Sequence, residues 1–307
     1  RRYMDKNHSN LHVWTIVGSI SNAGHMEEIF SEHKPEYVFH AAAYKHVPMM
    51  EDNPAMAVQN NVFGTRVIAD LAVKYGAKKF VMISTDKAVN PTNVMGCSKR
   101  ICEIYCQALN RRIQEGACPI KTVPGITTQT QFITTRFGNV LGSSGSVIPI
   151  FKEQIAKGGP ITVTHPDIIR YFMLIPEACK LVLEAGTMGK GGEIFVFDMG
   201  KPVRIADLAQ RMINLSGVKD VKIEYTGLRD GEKLYEEVLN DKEVTMPTPH
   251  PKIMVAQVRE YPYEEALANE QELYDLSFGF DDMAIVSKMK AIVPEYKSQN
   301  SKYAALD

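Results

Sequence analysis

Features that would direct a chain to a membrane or to a nucleic acid are missing from this sequence. No apolar run approaches the roughly 18 residues that a bilayer-spanning helix requires, and we find no signal peptide. Lys and Arg number 35 against 36 Asp and Glu, so the net charge of -1 provides no basic surface. We therefore expect a soluble protein that has no membrane segment in this chain and no nucleic-acid partner.

Cysteine is scarce, and its spacing is not typical of a metal site. The five cysteines include no CxxC pair. Cys102 and Cys106 are one helical turn apart, which favours packing in a core over metal ligation. We predict no metal centre, and free cysteines fit a reducing cytoplasm.

The opening of a dinucleotide-binding fold is also missing. Such folds begin with a strand, a GxGxxG-type turn and a helix whose N-terminus binds the pyrophosphate. No such sequence precedes Leu11, and the glycines of GSSGS follow no first strand. Because residue 1 is Arg and not Met, we expect the chain to be an N-terminally shortened piece of a longer protein that lacks the phosphate loop.

Short apolar runs and amphipathic segments alternate through the first half of the chain. This alternation predicts a parallel, doubly wound α/β sheet. A polar excursion with Pro and Gly is predicted at 116–131. The predicted strands are 11–17, 37–42, 80–84 and 132–136, and the predicted helices are 26–33, 63–75 and one that begins near Met95.

The pattern loosens beyond Gly138. The segments GNVLGSSGSV and KGGPITV either close over a ligand or form plain turns. Strands at 194–197 and 221–225 and a helix at 205–215 predict a second, smaller lobe. From residue 287 we expect a peripheral helix and a frayed end.

The most informative segment is STDK at 84–87. It follows an apolar run that is typical of a buried strand, and the next helix places Met95 and Lys99 one turn apart. Ligands of open α/β sheets bind at the carboxyl ends of strands, where these residues are predicted. The alternative is a polar strand end that only caps the following loop, with Met95 in the core and Lys99 solvated.

Four longer motifs resemble a known family. The motifs FHAAAYKHVPMMEDNPAMAVQNNVFGT, ISTDKAVNPTNVMGCSKR, RFGNVLGSSGSVIPIF and GLRDGEKLYEE resemble the nucleotide-sugar 4,6-dehydratases, and most of all the UDP-N-acetylglucosamine 4,6-dehydratase group. These are extended short-chain dehydrogenases of polysaccharide biosynthesis. The resemblance implies a Rossmann-like NAD-binding domain at 1–140 and a partly interleaved substrate lobe at 141–307.

The sequence departs from the family pattern in two places. Most short-chain dehydrogenases carry YxxxK where this chain has Met95 and Lys99, and a thioether cannot relay a proton. Methionine there resembles the membrane-anchored branch, whose full-length members carry N-terminal membrane helices. The second departure is the missing opening segment, on which NAD binding and activity depend.

The resemblance implies an internal redox cycle with NAD as cofactor. C4 of the sugar is oxidised, water leaves across C5 and C6, and the hydride returns to C6, which requires an acid and a base. Asp86 is implied as the acid and Lys87 as the base, which must be neutral and so needs a lowered pKa. Thr85 is the candidate for the C4 hydroxyl, and Lys99 for the ribose hydroxyls.

The other implied site residues fall into two sets. The small side chains of the cofactor set could equally serve tight packing, and a lone histidine or arginine is more often structural or solvated. For the cofactor these residues are Gly18, Ser19, Ile20, Ala41, Ala42, Ala43, Lys45, Asn61, Ser84 and Lys99. For the UDP-sugar they are His46, Asn139, Val147, Ile148, Pro149, Arg170, Arg229 and Glu232.

Two other functions stay open. A nucleotide-sugar 4-epimerase shares the fold but needs only C4 redox chemistry, which the Asp86-Lys87 pair and the absent tyrosine disfavour. A nucleotide-sugar-binding fragment without activity is the other alternative. We expect a homo-oligomer, because helices that flank such sheets commonly form dimer faces.

Overall fold

A computed structural model describes residues 10–127, 129–143, 145–237 and 244–307. Within them the strands share a mostly parallel arrangement. They are β1 Tyr37–His40, β2 Lys79–Thr85, β3 Gln131–Phe137, β4 Asn139–Leu141, β5 Ile161–Val163, β6 Ile169–Arg170, β7 Phe172–Leu174, β8 Ile194–Phe197, β9 Val203–Arg204, β10 Ile223–Tyr225, β11 Val244–Pro247 and β12 Ile253–Gln257.

Helices connect these strands and cover the sheet. They are α1 Ala23–His33, α2 Val47–Glu51, α3 Pro54–Ala57, α4 Gly64–Lys74, α5 Val94–Gln114, α6 Val147–Ala156, α7 Ile175–Met188, α8 Ile205–Ser216, α9 Tyr263–Ser277 and α10 Asp282–Ile292. A π-helical segment, Val58–Phe63, joins α3 to α4, and 3₁₀ turns span Asp86–Ala88 and Lys302–Leu306.

The central sheet has six strands in the order β1-β2-β3-β8-β12-β11. The first four are parallel, and β12 and β11 are added antiparallel. The predicted doubly wound α/β fold is therefore confirmed, with a mixed far edge. The carboxyl ends of β1, β2 and β3 lie side by side, because β2 pairs with β1 and with β3 in parallel.

The predicted strand at 11–17 is wrong. These residues form no strand with any other described residue, and 67% of Trp14 and 93% of Val17 is exposed. In the usual order of this fold two further strands separate such a segment from β1. Without them a short apolar run finds no described partner for its backbone, and the Trp14 ring packs on His33 instead.

The largest apolar cluster lies between the sheet and helices α4, α5, α9 and α10. Cys102 and Cys106 are buried in it, so their assignment to core packing is confirmed. The expectation of a frayed end is wrong, since Tyr296 and Tyr303 are 1% and 0% exposed. Their aromatic area outweighs the polar composition of the tail.

The tail also clasps the loop that follows β2. The backbone N–H groups of Lys297 and Gln299 donate to the carbonyls of Pro91 and Thr92 at 3.0 and 3.2 Å. The Tyr303 hydroxyl donates to the Glu51 carbonyl at 2.9 Å. Residues far apart in the chain thus fix one loop beside the sheet.

A smaller apolar cluster lies between α6, α8, β5 and β10. It corresponds to part of the predicted second lobe, and α8 ends at Gly217, whose φ of 70° suits glycine. The prediction that Ile194–Phe197 belongs to the second lobe is wrong, because this strand, β8, pairs with β3 in the central sheet. The division of the chain at residue 140 stays a prediction.

The excursion at 116–130 is irregular and mostly exposed where it is described, as expected. In the described part of the chain, none of the helices has both the length and the apolar character that crossing a bilayer requires.

Candidate active site

Three charged side chains meet at the carboxyl end of β2, and we name them the lysine clamp. The Lys87 ammonium lies 3.0 Å from Asp86 Oδ1 and 3.1 Å from Glu236 Oε1. Thr85 Oγ donates to Asp86 Oδ1 at 2.8 Å, and Lys87 Nζ also lies 3.4 Å from the amide oxygen of Asn139. The structure therefore brings the predicted acid and base into direct contact.

Glycine at position 96 allows α5 to approach this turn. A Cβ at Gly96 would lie 2.1 Å from the Lys87 carbonyl oxygen. The helix start is fixed by Asn93, whose Oδ1 accepts from the Gly96 N–H at 2.7 Å. The glycine of the MGCSK motif thus sets how closely the helix and the turn pack.

The pKa of Lys87 in the lysine clamp differs from the lowered value that the sequence analysis predicts. Burial disfavours the charge on Lys87, but the Asp86 and Glu236 carboxylates outweigh it and raise the pKa of Lys87. The lowered pKa expected for a base is wrong for this arrangement, because two carboxylates face one ammonium. Loss of the Lys87 proton to water is therefore disfavoured.

The two carboxylates of the clamp are not equivalent. Burial raises the pKa of Asp86, and the negative charge of Glu236 adds to this, although Lys87 opposes it. Burial also opposes ionisation of Glu236, but Lys87 and Arg170 outweigh it and lower the pKa of that carboxyl. Asp86 is thus the better proton acceptor and Glu236 the group that stays ionised.

Each carboxylate has one buried oxygen that receives no hydrogen bond from any residue the structure describes. These atoms are Asp86 Oδ2 and Glu236 Oε2. Gly138 leaves room beside the first, since a Cβ there would lie 2.8 Å from Asp86 Oδ2. Buried polar atoms are normally paired, so unpaired acceptors at a strand end are typical of a site that a ligand completes.

Glu236 is the site residue that sequence reasoning missed. It lies in the quoted motif GLRDGEKLYEE, but nothing in the pattern separates it from the adjacent Glu237. The difference is burial, as the side chain of Glu236 is 2% exposed and that of Glu237 is 50% exposed. Burial of a charged residue in a polar segment is a signal that only the fold provides.

Arg170, predicted to bind the diphosphate, is engaged with the protein. Its guanidinium donates to the carbonyls of Ile169, Lys233 and Leu234, and its Nε lies 3.4 Å from Glu236 Oε1. It therefore fixes the segment that carries Glu236. Contact with a diphosphate would require some of these donors to be released, and that role stays a prediction.

Two further predicted substrate residues, Arg229 for the diphosphate and Glu232 for a ribose, lie in the same segment as Glu236, whereas Asn139 lies in β4. Glu232 accepts from Thr164 Oγ and from the backbone N–H of Arg229 at 3.2 and 3.0 Å. Arg229 is exposed. Glu232 thus stabilises the turn, and its contact with a ribose is untested.

Lys99 lies on α5, one turn after Met95. Met95 is buried in the main apolar cluster, and Lys99 is 4% exposed. Within the described part of the chain, the Lys99 ammonium forms no ion pair or side-chain hydrogen bond. His40, at the end of β1, is buried, and burial together with the Lys99 charge lowers its pKa to about 3. A buried cation without a carboxylate partner suits a ligand that brings hydrogen-bond acceptors.

The cofactor residues after β1 are held by Asn61. Its side chain accepts from the Tyr44 N–H at 2.7 Å and donates to the Tyr44 carbonyl at 3.0 Å, so it braces the loop after β1 and not the strand itself, and its cofactor role stays a prediction. Ala41 and Ala42, before this brace, are exposed, and Ala43 is half-buried. Lys45 and His46, after it, are exposed.

Three predicted site segments lie elsewhere. Ser84 Oγ donates to the buried Glu103 at 2.6 Å and not to a residue of the clamp. Gly18, Ser19 and Ile20 follow no strand and precede α1, with Ile20 against Gly64. Val147, Ile148 and Pro149 form the first turn of α6. Their ligand roles stay predictions.

A second charged group, which we name the arginine network, is buried near the clamp. The Glu103 carboxylate receives Arg136 Nε and Nη2 at 2.9 and 2.7 Å, Ser84 Oγ at 2.6 Å and Arg100 Nη1 at 3.1 Å. Burial opposes ionisation of Glu103, but the Arg136 charge outweighs it and lowers the pKa of Glu103 to about 2. This network joins β2, β3 and α5.

Two solved structures share the fold of this chain. The chain resembles the structure of Pen from Bacillus thuringiensis, with a TM-score of 0.72, 30% identity, and 91% of this chain and 84% of that chain covered. It also resembles DesIV, a dTDP-glucose 4,6-dehydratase from Streptomyces venezuelae crystallised with NAD, with a TM-score of 0.64, 20% identity, and 78% and 75% coverage. The fold is therefore that of the Rossmann-like epimerases and dehydratases.

The family follows from the sequence comparisons. A family model described as "Polysaccharide biosynthesis protein" matches residues 1–258. CapD, a capsular polysaccharide biosynthesis protein of Staphylococcus aureus, is 52% identical over 248 residues, which are 80% of this chain. EpsC, a probable polysaccharide biosynthesis protein of Bacillus subtilis, is 50% identical over 78% of this chain. The chain belongs to the polysaccharide biosynthesis protein family.

The matched relatives are longer and not uniform in activity. The aligned segments amount to 39% of CapD and 38% of EpsC. A UDP-glucose 4-epimerase of Rickettsia canadensis is 37% identical over 77% of this chain and 64% of its own length. Nucleotide-sugar dehydratases and epimerases are thus both among the proteins that the chain resembles.

Proposed function

We propose that this chain carries the active site of an NAD-dependent nucleotide-sugar 4,6-dehydratase that acts on UDP-N-acetylglucosamine. The observation that carries the proposal is the Lys87 ammonium in contact with Asp86 at a strand end, beside a helix that has Met95 in place of the usual tyrosine. An acid next to a base is what elimination of water requires. Oxidation and reduction at C4 alone do not need this pair.

The residues near Lys99 fit the cofactor. Lys99 is a buried ammonium without a carboxylate partner among the described residues, and it suits ribose hydroxyls. Ala41 to Ala43 offer little side-chain bulk at the end of β1. When bound, NAD accepts a hydride from the sugar and returns it within the same cycle.

The clamp supplies the acid and base by an internal proton transfer. Lys87 and Asp86 are 3.0 Å apart, so one proton moved from Nζ to the carboxylate converts the ion pair into a neutral amine and a carboxylic acid. Lys87 then takes the C5 proton, and Asp86 gives its proton to the departing C6 hydroxyl, which leaves as water. The ion pair is restored, and no proton exchange with solvent is needed.

Thr85 is the proposed contact for the C4 hydroxyl. In the described arrangement its hydroxyl donates to Asp86 Oδ1. A substrate hydroxyl must therefore replace Asp86 as the partner of Thr85, and Asp86 is then free to turn toward the leaving group.

The test is incubation of the purified chain with UDP-N-acetylglucosamine, with and without NAD, followed by mass spectrometry. We expect a product that has lost one water, and we expect Asp86→Asn and Lys87→Ala to abolish it. An unchanged mass for the chain and for a longer protein that includes it would contradict the dehydratase function. Product in the longer protein alone would support the third possibility, that this chain is a nucleotide-sugar-binding fragment.

A 4-epimerase is the second candidate, favoured by the 37% identity to a Rickettsia UDP-glucose 4-epimerase. It would return a sugar of unchanged mass with the C4 configuration inverted, which chromatography of the released sugar detects. We further propose a cytoplasmic homo-oligomer, which sedimentation and cell fractionation would test.

A further inference from the structure

We propose that Glu236 is a positioning residue that, with Asp86, holds Lys87 as an ammonium in the resting protein and so controls how readily Lys87 becomes a base. The part of this role that concerns the reaction rests on the proposed function. The contacts themselves do not depend on it.

The contacts of Glu236 are directed and buried. Its Oε1 lies 3.1 Å from Lys87 Nζ and 3.4 Å from Arg170 Nε. Its Oε2 is buried and accepts no hydrogen bond within the described ranges of the chain. In Glu103, by contrast, both oxygens accept hydrogen bonds.

Arg170 explains why Glu236 is held in this position. Its guanidinium donates to the carbonyls of Lys233 and Leu234, which precede Glu236 in the chain. The backbone that carries Glu236 is thereby tied to β6, and the carboxylate faces the turn after β2. Glu236 can leave Lys87 only if this segment moves or its side chain rotates.

The charged groups around Lys87 define what removal of Glu236 would do. Asp86 and Glu236 favour its charge, while burial and the more distant Arg170 oppose it. Glu236 in turn faces Lys87, Arg170 and Lys233. With glutamine at 236, Lys87 would face one carboxylate, Asp86, instead of two, so Lys87 should lose its proton more easily.

The experiment measures Lys87 directly. In protein with isotopically labelled lysine, NMR follows the Nζ and Cε shifts of Lys87 from pH 7 to about 11, with Lys87→Arg used to assign the signal. We expect Glu236→Gln to lower the pKa of Lys87 by about one unit or more relative to the unchanged protein. Equal titration of Lys87 in both proteins would overturn the proposal.

The adjacent glutamate provides the matched control. Glu237 is half exposed and contacts Lys233 and Asn90 at 3.3 and 3.1 Å, not Lys87. Glu237→Gln should leave the Lys87 titration in place, and an equal shift in both variants would contradict a specific role for Glu236. If Glu236→Gln does not fold, Glu236→Asp keeps the charge but withdraws it by one methylene. A smaller decrease in the Lys87 pKa would then support the role, and no change would refute it.

The pH dependence of activity adds a second readout. Because the active form is the Lys87–Asp86 pair with one proton, loss of the Lys87 proton to water ends activity at high pH, and Glu236→Gln should move the alkaline limb of the kcat profile to lower pH by a similar shift. A shifted titration without loss of water from the sugar would leave the Glu236 role standing and would count against the dehydratase. Loss of water from the sugar together with an unshifted Lys87 titration would refute the Glu236 role and support the dehydratase.

Discussion

The lysine clamp and the arginine network are both buried groups of opposite charge at the ends of neighbouring strands, but they differ in how completely they are paired. Both oxygens of Glu103 receive donors from Ser84, Arg100 and Arg136. In the clamp, Asp86 and Glu236 each keep one buried oxygen to which none of the described residues donates. A network with every atom paired suits a structural role, whereas unpaired acceptors suit a site that exchanges protons and ligands.

The largest expected effect is the loss of activity when the lysine clamp is altered. Asp86→Asn removes the proposed acid and should lower the rate of water loss by roughly 100- to 10,000-fold. Its unfolding midpoint should change little, because Glu236 still pairs with Lys87. Product formation and urea unfolding measure the two quantities. Asp52→Asn, at an exposed aspartate, is the control. Asp86→Asn protein that is clearly less stable but keeps its rate of water loss would contradict a catalytic role for the clamp.

A substitution in the arginine network should instead lower the stability of the protein. Glu103→Gln leaves Arg136 and Arg100 without their buried counter-charge and should cost roughly 3–5 kcal/mol of the free energy of unfolding. Urea denaturation at neutral pH tests this. Glu115→Gln, at an exposed glutamate near the end of the same helix, should cost less than about 1 kcal/mol. Similar losses in both variants would mean that the buried network adds nothing specific to stability.

Acid should weaken the arginine network over a defined range. The pKa of Glu103 is lowered to about 2 from 4.5, so its contribution is present above pH 4.5 and is lost as the pH falls toward 2. The loss should amount to roughly 3 kcal/mol in the free energy of unfolding. Denaturation at a series of pH values should show a steep acid decline that Glu103→Gln makes shallower. Parallel curves would argue against this assignment.

The smallest expected effect concerns the space beside Asp86. Gly138→Ala would place a Cβ 2.8 Å from Asp86 Oδ2, so the carboxylate must shift, and we expect about a tenfold loss of rate. Gly24→Ala, in helix α1 with open space around it, should instead stabilise the protein by about 0.5–1 kcal/mol. An unchanged rate in Gly138→Ala would show that the unpaired oxygen is not used.

Much of the fold was predictable because its signals are local. The run before Thr85 and the spacing of Met95 and Lys99 predicted a strand, a turn and a helix, and the structure has β2 and α5 there. Segment 11–17 has a strand-like composition, but the partner strands that would make it one are not among the described residues. A strand forms only beside partner strands, and the sequence of one apolar run does not show whether such partners are present.

The candidate site was predictable in part for the same reason. Asp86 and Lys87 are adjacent in sequence, so their contact needed no knowledge of the fold. Glu236 is about 150 positions away in a polar segment, and its approach to Lys87 depends on Arg170 and the path of that segment. The raised pKa of Lys87 could not be foreseen without this second carboxylate.

The clasp between the tail and the loop after β2 bears on how the chain is made. Lys297 and Gln299 of the tail contact Pro91 and Thr92 of the loop, and Tyr303 contacts Glu51 at the end of α2, 252 positions earlier. A growing polypeptide on the ribosome has already completed the lysine and aspartate of the clamp when Tyr303 is still untranslated. The contacts between the tail and this loop can therefore form only near the end of synthesis of this segment, and until then the loop depends on its other contacts, such as those of Thr92 and Asn93 with the Gly231 carbonyl.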